Sequence, residues 1–140
     1  MELEPAPTPA DAGRDRAAMR VLVIDDSNTI RRSAEIFLKQ GGCEVVLAED
    51  GFDALAKVSD HRPDLIFCDI LMPRLDGYQT CAIIKRNPHF ASVPVIMLSS
   101  KDGLFDKARG RMVGSEDYLT KPFTKDQLLQ AVQQHGRVEA

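Results

Sequence analysis

At 140 residues, 44% of them hydrophobic and 28% charged, the chain has the composition of one globular domain with a core of its own. The formal net charge of −3 argues against nucleic acid as a partner, because phosphate contacts need a basic stripe. No apolar run approaches the roughly 20 residues of a membrane span, and the start, MELEPAPTPADAGRDRAA, lacks the basic and apolar regions of a signal peptide; the cytoplasm is expected, with no membrane insertion.

Residues 1–18, rich in Pro, Ala and charge, read as a disordered tail, with one folded domain over 19–137 and no output domain after it. The first strand, 20–25, contains VLVI, a continuous apolar run that reads as buried on both faces. It ends in two adjacent carboxylates, Asp25 and Asp26. Ser27 follows as a plausible N-cap. Ile30, Ala34, Phe37 and Leu38 then share one helical face, which Gly41-Gly42 closes.

The second strand is CEVVLA at 43–48, and Leu55 and Val58 mark the helix after it. DLIFCD at 64–69 is the third strand, followed by a helix carrying Gly77, Cys81 and Ile84. PVIMLS at 94–99 is the fourth, and the helix around 103–113 is the weakest of the set, polar and interrupted by Gly110. DYLT at 117–120 is the fifth, and Leu128, Leu129 and Val132 mark the last helix. Pro63, Pro94 and Pro122 fall in connections, where a missing N–H does no harm. Strands alternating with helices mean βαβ units, hence an α/β fold with a parallel sheet covered on both faces.

In such a sheet, ligands bind beyond the carboxyl ends of the strands, at the topological switch point. The first strand ends there in Asp25-Asp26, the third in Asp69, the fourth in Ser99-Ser100 and the fifth in Lys121-Pro122. Each alone has a mundane reading, as a helix cap, a turn or a loop residue. Their joint placement at one edge is what carries information. Clustered acids repel and are costly to bury unless paired or metal-bound. A hard cation such as Mg²⁺ takes carboxylates, waters and a phosphoryl oxygen. One carboxylate can then act as a nucleophile toward phosphorus, while a lysine and a hydroxyl stabilise the transferring group. Cys43, Cys68 and Cys81 have no C-x-x-C spacing and His61, His89 and His135 are scattered, so neither disulfides nor a zinc site is expected.

VLVIDDS, DLIFCDILMPRLDGYQ, PVIMLSS and YLTKPF together resemble the CheY-like receiver domain of two-component response regulators, from about Met19 to the last helix. The resemblance implies a flavodoxin-like (βα)5 doubly wound sandwich, its five-stranded parallel sheet in order 2-1-3-4-5. It implies Asp69 as phosphoacceptor, and Asp25 and Asp26 as the acidic metal pair. Mg²⁺ is then also held by Asp69 and the Leu71 backbone carbonyl, with Mn²⁺ able to substitute. Ser99 corresponds to the hydroxyl that turns toward the phosphoryl group, Lys121 to the family's lysine, Pro122 to a cis-proline and Tyr118 to a switch aromatic. A histidine kinase is the implied phosphoryl donor and a downstream protein effector the implied target; nothing in this role makes the protein an enzyme beyond assisting its own phosphorylation and dephosphorylation. DGFDALAKV, MPRLDGYQTCAIIK and SSKDGLFDKARGRMVGSEDYLTKPF are similar, more narrowly, to the small regulators of type IV pilus chemosensory systems that control twitching motility. At two rate-tuning positions, Leu71 and Lys101 stand where fast-turnover chemotaxis regulators tend to carry polar and acidic residues, so a fast lifetime is not implied.

Three competing readings fit less well. A haloacid-dehalogenase-like phosphatase needs D-x-D, and Leu71 stands where the second acid belongs. A flavodoxin-like FMN carrier needs a hydroxyl- and glycine-rich loop after the first strand, where DDSNTIRR places acids. An unphosphorylated pseudo-receiver module predicts an eroded acidic pocket, and this one is complete.

Overall fold

The computed structural model describes residues 18–100 and 106–136. Within them, five strands alternate with five helices: β1 (Arg20–Ile24), α1 (Asn28–Gln40), β2 (Glu44–Ala48), α2 (Gly51–His61), β3 (Leu65–Asp69), α3 (Gly77–Arg86), β4 (Val95–Ser100), α4 (Lys107–Val113), β5 (Asp117–Lys121) and α5 (Lys125–His135). The strands form one sheet in the order β2-β1-β3-β4-β5, every neighbouring pair parallel. The expected topology is thus the observed one.

The period-2 alternation of side chains divides the strands between two cores. Val21, Val23, Leu65, Phe67, Ile96 and Leu98 pack with Ala34 and Leu38 of α1 and Leu128, Ala131 and Val132 of α5. Leu22, Ile24, Ile66, Cys68, Val95 and Met97 face the other way, onto Ala54 and Val58 of α2 and Cys81 and Ile84 of α3. Both faces of the central strands are therefore dry, which is why their sequences are continuously apolar.

The helix starts are set by local chemistry. Ser27, Asp50, Asp76, Asp106 and Thr124 are N-caps, each side chain accepting from the backbone N–H three residues on. α3 and α5 carry full capping boxes, Asp76 with Gln79 and Thr124 with Gln127. α1 ends at Gly41, and Gly42 turns the chain at φ 87°. At the amino ends of the strands, Lys85 Nζ donates to the carbonyls of Ala91 (3.2 Å) and Val93 (2.6 Å) and pairs with Glu116 (3.0 Å). That knot fastens the α3–β4 connection to the approach of β5.

Differences from the sequence reading are confined to ends. β4 runs on through Ser100 and β5 through Lys121, because Ser100 and Lys121 pair with each other across the ladder. α4 starts at Lys107 rather than near 103; residues 103–105 of the expected span lie outside the described residues, as do Lys101, the expected tail up to residue 17, and residue 137.

Candidate functional site

The sheet order reverses between β1 and β3, which lie side by side with Ile24 opposite Cys68. One residue further along, Asp25 follows the end of β1 and Asp69 is the last residue of β3, so the two emerge next to each other. Asp25 is 0% exposed and Asp69 3%. Asp26 is exposed at the rim, and carboxylate oxygens of all three lie within 4.8 Å of one another. Asp25 is further fixed by the Ser27 backbone N–H, which donates to its Oδ1 at 2.9 Å.

Lys121 closes the cluster from β5. Its Nζ lies 3.0 Å from Asp69 Oδ1 and 3.1 Å from Asp25 Oδ2. The peptide between Lys121 and Pro122 is cis. Burial, with the Asp25 charge next in weight, pushes the Asp69 carboxyl up to about 6, against the opposing hydrogen bond and charge of Lys121. For Lys121 itself, burial favours the neutral amine. The hydrogen bond it donates to Asp69 and the charges of Asp25 and Asp69 outweigh it and raise its pKa. The site thus holds an ammonium and an anionic cluster in low dielectric.

Ser99 is 5% exposed at the end of β4, its Oγ donating to the Ser100 carbonyl at 3.3 Å. Leu71 lies in the β3–α3 loop two residues after Asp69, its side chain 67% exposed. Tyr118 lies on β5, half-buried, with Lys107 Nζ 5.7 Å from its ring centre. So Asp25, Asp26, Asp69 and Lys121 form one constellation, Ser99 stands at its edge on the adjoining strand, and Tyr118 is set apart toward α4. Cys68 and Cys81 are buried core thiols, with burial the main force pushing both upward, Cys81 to about 12.

Two features were absent from the sequence reading. Arg31, in the first turn of α1, donates from Nη1 to the Asp25 carbonyl and from Nη2 to Asn28 Oδ1. The signal for it was a basic residue at a helix N-terminus, where the macrodipole disfavours cations. The other is a contact between α3 and α4 through Tyr78 and Arg109, which no local pattern announces.

Chemically, the donor set is all oxygen and includes a carboxyl whose ionisation is hindered by its neighbours. Those are the properties of a site for a hard divalent cation. The residues fit such an ion, and the buried Asp69 oxygen beside a lysine is suited to attack on an electrophile.

Comparison with known proteins agrees with that chemistry. Residues 21–133 match the family described as the response regulator receiver domain. The chain is 68% identical over 117 residues to Protein PilG of Pseudomonas aeruginosa, covering 84% of this chain and 87% of that one. It is 38% identical over 105 residues to the alkaline phosphatase synthesis transcriptional regulatory protein PhoP of Bacillus subtilis, covering 75% of this chain but 43% of that protein. Among solved structures, the chemotaxis protein CheY4 of Vibrio cholerae superposes with a TM-score of 0.80 at 33% identity, over 84% of this chain and 98% of that one. The chain belongs to the response regulator receiver domains.

Proposed function

We propose that Asp69 is the phosphoacceptor, charged by the phosphohistidine of a histidine kinase. The observation that supports this reading best is the buried Asp69 carboxylate held 3.0 Å from the Lys121 ammonium, with Asp25 and Asp26 alongside. An Asp69 oxygen attacks phosphorus. The O–P bond forms, the P–N bond to the kinase imidazole breaks, and the ring leaves neutral with the proton on its other nitrogen retained. Asp25, Asp26 and Asp69, with the Leu71 carbonyl, would hold Mg²⁺, or Mn²⁺ in its place. When bound, the ion offsets repulsion among the acids and charge on the transferring group. Lys121, kept protonated by its two carboxylates, meets the phosphoryl oxygens. By these contacts the domain assists its own phosphorylation and dephosphorylation.

Ser99 then turns its hydroxyl from the Ser100 carbonyl toward the phosphoryl group, and the Tyr118 ring turns inward. The output is a changed surface on α4, β5 and α5, read by a downstream protein in the cytoplasm. A groove of about 270 Å³ lined by Lys107, Arg111, Glu116, Asp117 and Tyr118 lies on that surface. The 68% identity to Pseudomonas aeruginosa PilG supports a role in type IV pilus chemosensory control of twitching motility. The test is incubation with acetyl phosphate and Mg²⁺. Wild type should gain one acid-stable, hydroxylamine-labile phosphoryl group, and Asp69→Asn none; undiminished modification of the mutant overturns the assignment. Phosphotransfer profiling against the histidine kinases of the same cell should single out the pilus chemosensory kinase.

A further inference from the structure

α3 begins in close contact with the phosphoacceptor strand. The Gly77 N–H donates to the Ile70 carbonyl at 2.8 Å. A Cβ on Gly77 would sit 2.3 Å from the Asp69 carbonyl oxygen and 2.7 Å from Ile70 Cα. The first turn of α3 therefore rests backbone on backbone against Asp69. The next residue, Tyr78, is 6% exposed. Its hydroxyl accepts the Asp106 backbone N–H at 3.0 Å, and Asp106 is the N-cap of α4. The Arg109 guanidinium, one turn into α4, lies 4.3 Å from the Tyr78 ring centre. Arg109 Nη2 also lies 3.9 Å from Asp76 Oδ2, on the N-cap of α3. Two helix N-termini are thus joined by one tyrosine and one arginine. One of those helices abuts Asp69; the other borders the groove beside Tyr118.

We propose that Tyr78 and Arg109 form a latch by which the state of Asp69 reaches α4 through the β3–α3 loop, in parallel with the Ser99–Tyr118 route. The inference rests on the reading of Asp69 as phosphoacceptor. A group added to Asp69 crowds the backbone that Gly77 touches. Any shift of the first turn of α3 moves Tyr78, and α4 must follow or lose its tyrosine acceptor and its cation–π partner. α4 is short and buries little besides Gly110, so these contacts are a large share of what holds it. Tyr78 and Arg109 are positioning residues: neither is among the groups that meet the phosphoryl group.

The experiment is hydrogen exchange of the α4 amides with and without beryllofluoride and Mg²⁺, in wild type, Tyr78→Phe, Arg109→Gln and Ser99→Ala. Uptake of the mimic at Asp69 is followed separately by ¹⁹F NMR. In the unmodified state, Tyr78→Phe and Arg109→Gln should each speed exchange of α4 about three- to tenfold, with β1 and β3 amides unchanged. The beryllofluoride-induced change in α4 exchange should fall at least threefold in both variants and persist in part in Ser99→Ala. If wild type and both latch variants take up the mimic and respond equally, the latch is refuted while the phosphoacceptor reading stands. A complete loss of the response in Ser99→Ala refutes it as well, since one route then carries everything. If wild type takes up no mimic, the phosphoacceptor reading fails and the latch with it. Arg109 is 52% exposed, so Arg109→Gln keeps the test open should Tyr78→Phe fold poorly.

Discussion

Replacing Asp69 by Asn should change stability in a way that depends on pH. An ordinary aspartate starts from 3.8, and the fold pushes Asp69 up to about 6. Between those values the folded state binds a proton that the unfolded chain has released, so stability falls as pH rises. Above about 6 the penalty is complete. At about 1.4 kcal/mol per pH unit, the shift of about 2 units is worth about 3 kcal/mol at neutral pH. That figure is net of the Lys121 ion pair, which already opposes the shift. At pH 4.5 only about 1 kcal/mol of the penalty has developed. Asn is uncharged at every pH and matches Asp in size, so the stability of Asp69→Asn relative to wild type should improve by about 2 kcal/mol between pH 4.5 and 7.5. Other titrating groups act in both proteins and largely cancel. The assay is urea unfolding at both pH values in EDTA, followed by circular dichroism. A difference that is flat across this range, or that shrinks, would falsify the claim that burial and Asp25 strain this carboxylate.

Other outcomes follow from the same geometry. Magnesium at ten times its dissociation constant should add about 1.4 kcal/mol to wild type by mass action, and Asp25→Ala or Asp26→Ala should lose most of that gain; an unchanged melting temperature in millimolar magnesium counts against the cation site. Gly77→Ala should cost about 2 kcal/mol or more, because the new methyl meets the Asp69 backbone rather than a yielding side chain; a neutral change in urea midpoint contradicts the close approach. Lys85→Met should cost about 2 kcal/mol by orphaning the Val93 carbonyl and removing the ion-pair partner of Glu116, without altering the extent of Asp69 phosphorylation; a neutral urea midpoint refutes the knot, and reduced phosphorylation shows that its influence extends to the site.

Much of the fold was legible because the strands are buried on both faces. VLVI, LIF and VIML leave no alternative to a covered parallel sheet, and polar residues stand out wherever such strands stop. Asp25, Asp69, Ser99 and Lys121 stand out for that reason: each lies at or just past a strand's carboxyl end. What the sequence hid was contact between elements distant along the chain. Tyr78 reads as one more large residue of α3, and Arg109 as one of three cations on a polar helix. Their meeting depends on how α3 and α4 lie together, which no periodicity encodes. The start of α4 was misplaced for a related reason. Asp106 is the cap, yet Asp102 is a cap-forming residue type as well and stands just before the expected start.

The direction of the proposed switch can be argued from charge alone. Three carboxylates and one ammonium leave the pocket at a formal charge of −2, which one divalent cation cancels. Turning the Asp69 carboxylate into an acyl phosphate adds up to one further negative charge. A low-dielectric site cannot leave that charge unanswered. Lys121 is already shared between Asp25 and Asp69, so a fresh donor is needed. Ser99 is buried at the pocket edge, and its hydroxyl is spent on a 3.3 Å bond to the Ser100 carbonyl, long for an O–H donor. Exchanging that bond for a shorter, charge-assisted one is downhill. The exchange frees the Ser100 carbonyl at the point where β4 leaves the sheet, opposite Lys121 on β5. In the proposed switch, the Ser99 hydroxyl therefore turns from the Ser100 carbonyl toward Asp69, drawn by the charge added there.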